Sequence, residues 1–590
     1  MPIVIEKVRI ANFRSLKNVE VFLTPLTVLV GANNAGKTSF LKALNLALGV
    51  ERKMISKEDF NISEGDDDSE KVIKIDIRII PVDGNYRRVT DFEDLWIDVE
   101  FGDAVNVDVS DRQYVAFRTI ISFNALKNDY EIKKFKIDEW QEDFEGWDEL
   151  EYTDPLKSSF PSIPLFFIDA QRDILEDLRN KGSFLGKLIS KVKIDPKKLK
   201  ELEDKIHSLN EEIVENSDIL SHLKEKLKEL SNTIQSGKTG IDITPVNKKL
   251  RDLNKGLNIN FQDGKNDGFP LEYHGMGTRS WASLLTFKAY ITWLSETFEE
   301  EGTTPYHPIL ALEEPEAHLH PNAQRHLYSQ LVDISGQKII STHSPYIAGQ
   351  CALGQIRHFY KAEEAPQINS FDGTDLSKDD IRRLRREVMH SRGELLFSSA
   401  IVLFEGETEE QALPIFAKHY WKLNSFELGI NFVGVGGYGN YLPFLRFCTS
   451  FNIPWFILSD GEDDATKGVN SALEKIGIDT KKKLPENVKI IPNKDNFESY
   501  LIAEGYQTEI KQAILAFLED TFQNAQHKAA KTKEVNGWND TKLKEFMDGS
   551  KTGLSTYLAD AIIGHSDKKK QFPVILNALF KEIAKKVTNG

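Results

Sequence analysis

Five carboxylates stand at or beside the ends of short apolar runs in the C-terminal half of the chain, where they could hold divalent cations. Ser399-Ala-Ile-Val-Leu-Phe-Glu405-Gly406-Glu407-Thr-Glu409 reads as a buried strand ending at Glu405, with Glu409 on the facing turn of the helix that follows. Asn431-Phe-Val-Gly-Val-Gly436-Gly437 reads as a strand and glycine turn. Pro454-Trp-Phe-Ile-Leu-Ser459-Asp460-Gly-Glu462-Asp463-Asp464 is a third strand closed by acids, and Asn496-Phe-Glu498 puts another carboxylate at a helix start. Any one cluster could be a solvated loop. Parallel strands bring their C-terminal ends together, so acids at successive ends are expected to converge. Oxygen-only ligands without a His or Cys set favour magnesium or manganese over zinc. Glu405, Glu409, Asp460, Glu462 and Glu498 are the expected ligands, with Asp463 or Asp464 as substitutes for Glu462.

A second chemistry lies near the N-terminus. Leu26-Thr-Val-Leu-Val-Gly31-Ala-Asn33-Asn34-Ala-Gly36-Lys37-Thr38-Ser39-Phe reads as strand, glycine-rich turn and helix start. Such a turn aims backbone N–H groups at the β- and γ-phosphates of a nucleotide, and the helix N-terminus adds the positive end of its dipole. Lys37 is expected to reach the terminal phosphates and Thr38 to hold a magnesium ion. Gly31, Asn33, Asn34, Gly36 and Ser39 complete the expected cradle.

Such a loop needs a partner strand ending in acids. Pro308-Ile-Leu-Ala-Leu-Glu313-Glu314-Pro-Glu316 supplies it, with Glu313 near the magnesium shell and Glu314 orienting or deprotonating the attacking water. The plainer reading is a core strand capped by solvated acids. Lys338-Ile-Ile-Ser-Thr-His343 is a further strand whose terminal histidine suits a γ-phosphate sensor.

The frame that must position these groups is large. A chain of 590 residues exceeds what one hydrophobic core organises, and 40% hydrophobic with 28% charged residues is an ordinary globular composition. No run approaches the about 18 apolar residues of a membrane span, and no signal-peptide pattern opens the sequence. Cys351 and Cys448 alone make neither a disulfide scaffold nor a cysteine zinc site, and the cytoplasm is the expected location. The net charge of −16 argues against general coating of nucleic acid but leaves room for a local basic groove.

These motifs resemble known families. The phosphate loop and its acidic strand look like the ABC-type ATPase heads of SMC and RecF-like proteins. Ile10-Ala-Asn-Phe13-Arg14-Ser15 is similar to their N-terminal strand motif, Gln171 falls where they carry a glutamine loop, and Tyr273-His-Gly275-Met-Gly277-Thr-Arg279-Ser280 resembles a degenerate signature. The resemblance implies ATP held by one protomer and closed over by the signature of another, with Arg14, Gln171, Gly277, Ser280 and His343 in the nucleotide set. The acidic strand ends Glu-Glu where such heads usually have Asp-Glu, and the signature lacks a Ser-Gly-Gly core. The C-terminal acids resemble the Toprim fold, with Asp460-Gly-Glu462 in place of Asp-X-Asp.

An ATPase head followed by Toprim is the architecture of the overcoming-lysogenization-defect (OLD) nucleases, which include the nuclease subunit of the Gabija antiphage system. That resemblance implies an ATP-binding, metal-dependent DNA endonuclease in antiphage defence. One metal ion is expected at the ATPase site and two at the Toprim site. It also implies a C-terminal lysine at the metal site, for which Met547-Asp-Gly-Ser-Lys551-Thr-Gly offers Lys551. DNA is the implied substrate and a homodimer or higher homo-oligomer the implied assembly. Whether a helicase or another defence-system protein encoded nearby joins it stays open. An ATP-dependent DNA repair clamp without nuclease activity and a topoisomerase-like Toprim enzyme are the rival readings.

The expected architecture is mixed α/β. The head takes residues 1–172 and 261–360, with a helical dimerisation element inserted at 173–260. A linker covers 361–397, Toprim covers 398–505, and a helical segment at 506–590 completes the nuclease site. Within the insert, Leu199, Leu202, Ile206, Leu209, Ile213, Leu220, Leu223, Leu227, Leu230 and Ile234 follow heptad spacing, with Asn216 on a core position. Asn216-Ser-Asp either forms a buried polar layer or breaks the segment, with Ser217 or Asp218 as N-cap. In the linker, Arg382, Arg383, Arg385 and Arg386 make either a phosphate contact or an acid-paired helix face.

Overall fold

The computed structural model describes residues 2–49, 55–61, 71–152, 154–156, 160–170, 195–221, 260–261, 269–270, 273–361, 365–371, 373, 376–437, 439–481 and 483–587. The chain divides into two compact units, one of residues 1–167, 309–313 and 336–590, the other of 168–308 and 314–335. The architecture is mixed α/β.

The first unit contains three sheets. An antiparallel sheet at the N-terminus has the order Leu16–Phe22, Ile3–Phe13, Ile73–Pro81, Gln113–Asn124 and Val105–Val107, with Asp129–Lys136 also pairing to Gln113–Asn124. Isoleucines at 73, 75, 77 and 79 recur with period two and are all buried, which fixes that strand's register. The nucleotide-binding sheet has the order Pro366–Ser370, Ile356–Lys361, Leu26–Gly31, Gln337–Ser341, Ile309–Glu313 and Leu165–Ile168. Its four central strands are parallel, so their C-terminal ends open on one edge. Gln337, wholly buried, ties the two sheets together. Its Oε1 accepts from Ile5 N at 2.8 Å and its Nε2 donates to Ile5 O at 2.9 Å, so its amide is satisfied in the core.

The third sheet is fully parallel, in the order Ile430–Gly434, Ala400–Phe404, Trp455–Ser459 and Val488–Ile490. The Ala400–Phe404 strand is buried throughout, as its unbroken apolar run requires of a central parallel strand. The C-terminal helices share this sheet's core: Ala412, Phe416, Ile510, Leu558 and Phe580 belong to one buried cluster with Val402 and Leu458.

The linker is folded. Lys378–Leu384 is a helix, tighter and wider turns continue to Phe397, and Leu384, Val388, Met389 and Leu396 are all buried. Its arginines follow the acid-paired alternative in part: Arg386 and Arg383 stand 2.8 and 3.5 Å from Glu387.

In the second unit, Pro196–Glu215 is a helix capped by Asp195, whose side chain accepts from the N–H groups of Lys197 and Lys198. It stops at Asn216, and helical structure resumes at 218 with Ser217 Oγ accepting from Leu220 N at 3.4 Å. Asn216 is exposed and its Nδ2 donates to Glu212 O, so the break describes this position and the buried polar layer does not. Along this helix Leu209 is 46% exposed and Val214 is buried. Leu223, Leu227, Leu230 and Ile234 lie outside the described residues. Among the described residues no helix is long and apolar enough to cross a membrane.

Candidate functional site

The phosphate loop runs from the buried Leu26–Gly31 strand into the Lys37–Leu48 helix. Gly31 has φ 135° and lies hard against the neighbouring strand, where a Cβ would stand 1.9 Å from Phe359 O. Only glycine fits that conformation and that gap. Asn34 and Gly36 also have left-handed backbones, with Gly36 serving as the helix cap. Successive turns of this kind point N–H groups inward as an anion cradle, and Asn33 and Asn34 are exposed on it. Lys37 is buried, and its ammonium donates to Gly31 O and Ala32 O at 2.8 Å each.

Thr38 Oγ1 donates to Glu313 Oε1, which joins the proposed magnesium hydroxyl to the acid of the partner strand. Gln337–Ser341 lies between the Leu26–Gly31 and Ile309–Glu313 strands, so His343 follows the strand flanked by both motifs. Its ring lies 6.2 Å from that of Phe397. Ser39 Oγ is 3.3 Å from Ser15 Oγ, which brings the Phe13-Arg14-Ser15 turn to the loop. The Arg14 guanidinium itself is committed to Asp59, at 2.7 and 2.9 Å from Oδ1.

Glu314 belongs to the second unit and has φ 41°, a conformation costly for a non-glycine residue and typical of functional positions. Gly277 stands in the first turn of the Met276–Glu301 helix and Ser280 is buried one turn on. Gln171 lies outside the described residues.

The parallel sheet gathers the second set. Glu405 follows the Ala400–Phe404 strand, and Glu409 lies buried in the first turn of the Glu407–Trp421 helix. Gly406 joins them, and a Cβ there would lie 2.3 Å from Glu409 Oε2, so a side chain at 406 would push that carboxylate aside. Asp460 follows the adjacent Trp455–Ser459 strand, and its Oδ1 accepts from Phe497 N at 3.1 Å. Glu498, 3% exposed, accepts from Thr408 Oγ1 at 2.6 Å and lies 3.3 Å from Lys551 Nζ.

Crowding is written into the proton affinities. Burial, then the charges of Glu405, Glu498 and Glu462, raises Asp460 to about 7. Burial, then Asp460, raises Glu409 to about 8. Burial also raises Glu405, with Glu462 adding to it. Burial alone would lower the Lys551 ammonium, but Glu498, Asp548 and Glu409 together raise it. Three acids that hold their protons so strongly, Glu405, Glu409 and Asp460, make a site that favours cations. Among the described residues no three His, Cys, Asp or Glu side chains are already drawn into the geometry that holds a metal ion. Glu498 is engaged by Lys551 and Thr408, and Glu405 by Tyr441 and Ser459. The donors are nevertheless all oxygen, which suits a hard divalent cation.

Of the alternative acids, Glu462 is close enough to perturb both Glu405 and Asp460. Asp463 is taken by Lys494 at 2.9 Å, and Asp464 stands 72% exposed, 3.6 Å from Lys467. The fold therefore does not bring Asp464 to the cluster: the Asp463–Lys475 helix begins there and turns both aspartates to solvent, where they favour the helix N-terminus. Sequence reasoning missed Thr408, Tyr441 and Ser459. Thr408 and Ser459 adjoin predicted acids and could have been found, whereas Tyr441 lies 36 residues from Glu405 in an unremarked helix.

Comparison with known proteins agrees with both halves. Residues 4–348 match the AAA ATPase domain family, and residues 396–461 match the Toprim domain of overcoming-lysogenization-defect protein-like sequences. The chain is 24% identical over 492 residues to the OLD nuclease of Thermus scotoductus, covering 77% of this chain and 81% of that one. It is 26% identical over 496 residues to the Old nuclease of Escherichia phage P2, covering 78% and 77%. Endonuclease GajA of Bacillus cereus is 23% identical over 585 residues, covering 87% and 82%. The chain belongs to the AAA ATPase domain family and joins that domain to an OLD-like Toprim domain.

Proposed function

We propose that this protein is an ATP-binding, divalent-metal-dependent DNA endonuclease acting in antiphage defence. The observation that carries the reading is the electrostatic coupling of Asp460 to Glu405, Glu409 and Glu498, with Lys551 3.3 Å from Glu498. The names of three relatives, two called a nuclease and one an endonuclease and each matched over more than three quarters of its length, support nuclease activity.

Glu405, Glu409, Asp460, Glu462 and Glu498 would hold magnesium or manganese, which when bound supplies an activated water and neutralises charge on the departing 3′ oxygen. Lys551 presents an ammonium to the scissile phosphate and stabilises its developing negative charge. Buried walls around Glu409 and Glu498 lower the local dielectric and strengthen that interaction. At the other site the 31–38 loop cradles the ATP phosphates, Thr38 and Glu313 hold magnesium, and Glu314 orients water. His343 and Arg14 complete the nucleotide set in this reading, with Gly277 and Ser280 offered to a second protomer of a homo-oligomer. The finer domain assignment follows: head at 1–172 and 261–360, dimerisation element at 173–260, linker at 361–397, Toprim at 398–505 and a completing helical segment at 506–590. A cytoplasmic location suits a DNA substrate.

Incubation of purified protein with supercoiled plasmid, in magnesium and in manganese, with and without ATP, tests this reading. Nicked or linear products are expected. Relaxed closed circles would favour a topoisomerase, and unchanged plasmid in every condition would favour a clamp.

A further inference from the structure

Glu405 is held from both sides by hydroxyl groups that no sequence motif announces. Its strand, Ala400–Phe404, lies between Ile430–Gly434 and Trp455–Ser459 in the parallel sheet. Ser459 ends one neighbouring strand, and its Oγ stands 2.9 Å from Glu405 Oε1. Tyr441 comes from the other side. It opens the Tyr441–Ser450 helix beyond the Gly436-Gly437 turn, and its hydroxyl donates to the same Oε1 at 3.1 Å.

Both hydroxyls meet one carboxylate oxygen, Glu405 Oε1. Tyr441 is wholly buried and Ser459 is 1% exposed, so neither donor rotates freely into solvent. A glutamate side chain has three soft torsions, and an acid surrounded by like charges tends to swing away from them. Tyr441 donates to Glu405 Oε1 and Ser459, whose Oγ also lies 3.0 Å from Asp460 O, stands within hydrogen-bond distance of it, and together they oppose that motion. The cost of a buried tyrosine hydroxyl is met only while its acceptor stays in place. Tyr441 therefore specifies one orientation of Glu405, and Glu405 in turn satisfies Tyr441.

We propose that Tyr441 and Ser459 are positioning residues for the metal site, clamping Glu405 through Oε1 so that its carboxylate keeps one orientation toward a bound cation. The inference rests on the carboxylate cluster binding a divalent cation. Tyr441 acts through Glu405 and not on DNA, because the residue is wholly buried with its hydroxyl on Glu405 Oε1.

The test is binding of Mn²⁺ to the full-length, nucleotide-free protein, followed by electron paramagnetic resonance, for the parent chain, Tyr441→Phe, Ser459→Ala and Asp460→Ala. Groups that orient metal ligands are worth roughly 10- to 100-fold in affinity. Tyr441→Phe and Ser459→Ala are each expected to weaken Mn²⁺ binding by about that factor while thermal melting of the metal-free protein changes little. Asp460→Ala is expected to abolish it. Parent-like Mn²⁺ affinity in both hydroxyl variants would overturn the clamp, and Ser459→Ala decides alone if Tyr441→Phe does not fold. A phosphotyrosyl adduct between the parent chain and DNA, lost in Tyr441→Phe with Mn²⁺ binding intact, would replace the clamp with a nucleophile. Absence of Mn²⁺ binding by the parent chain itself would instead remove the metal reading on which the clamp depends.

Discussion

Lys551 Nζ stands 3.3 Å from Glu498 Oε1, joining the first residue of a C-terminal helix to an acid buried in the Toprim core. A lysine at that position opposes the helix dipole, which favours negative charge at its N-terminus. Glu498 and Asp548 offset the conflict by surrounding the ammonium with carboxylates. A purely structural helix would be better served by a neutral or acidic first residue, so the lysine belongs with the acids it faces.

Replacing Lys551 with alanine should lower DNA cleavage by roughly 100- to 1,000-fold, the range for removal of one group that stabilises developing charge. Mn²⁺ binding should persist, because an ammonium donates and does not ligate. Parallel measurements of nicking and metal affinity check this. Loss of Mn²⁺ binding together with a collapsed melting transition would make Lys551 structural instead.

The nucleotide site gives a contrasting pair. Lys37→Ala removes the cation that caps Gly31 O and Ala32 O, and ATP hydrolysis should fall to background with the fold retained. Glu314→Gln should bind ATP yet slow its hydrolysis by about 100- to 10,000-fold, as expected for loss of a general base. Filter binding and phosphate release separate the two defects. Normal turnover in Lys37→Ala would place the nucleotide elsewhere.

The crowded acids predict a pH dependence of the metal-free protein. In the unfolded chain carboxylates release their protons near about pH 4. In the fold Asp460 and Glu409 hold theirs to about 7 and about 8. Between those limits the native state binds more protons than the unfolded one, so stability falls as pH rises through the window. Melting temperature without divalent ions should therefore decline between about pH 5 and pH 8. Magnesium should reduce the decline, and Asp460→Asn should flatten it. A parent melting temperature that is unchanged by Asp460→Asn across this range would show that the acids are not coupled as described.

Much of this was legible in the sequence because the chemistry is local. The 31–38 loop, Glu313 and the acids at 405 and 460 sit at strand ends that unbroken apolar runs announce, and the acids at 409 and 498 sit in the first turns of helices. The parallel sheets then bring those ends together without further instruction. What stayed hidden depends on distant contacts. Asp464 shares its composition with Asp460, and only the helix starting at Asp463 turns it outward. Tyr441 reads as a core aromatic until the sheet order sets it beside Glu405. Residues 378–397 look like a charged connector, yet Leu384, Val388 and Leu396 are spaced to be buried against folded neighbours.

The central claim is that the Toprim carboxylates, and not the nucleotide site, cut DNA. Asp460 is the acid that Glu405, Glu498 and Glu462 all perturb, so Asp460→Ala removes the charge on which a bound cation most depends. The direct measurement is nicking of supercoiled plasmid by Asp460→Ala and the parent chain, in magnesium and in manganese, with ATP binding recorded for both. The account predicts cleavage at background for Asp460→Ala with ATP binding unchanged, since the phosphate loop is built from other elements. Cleavage at the parent rate in Asp460→Ala would contradict it.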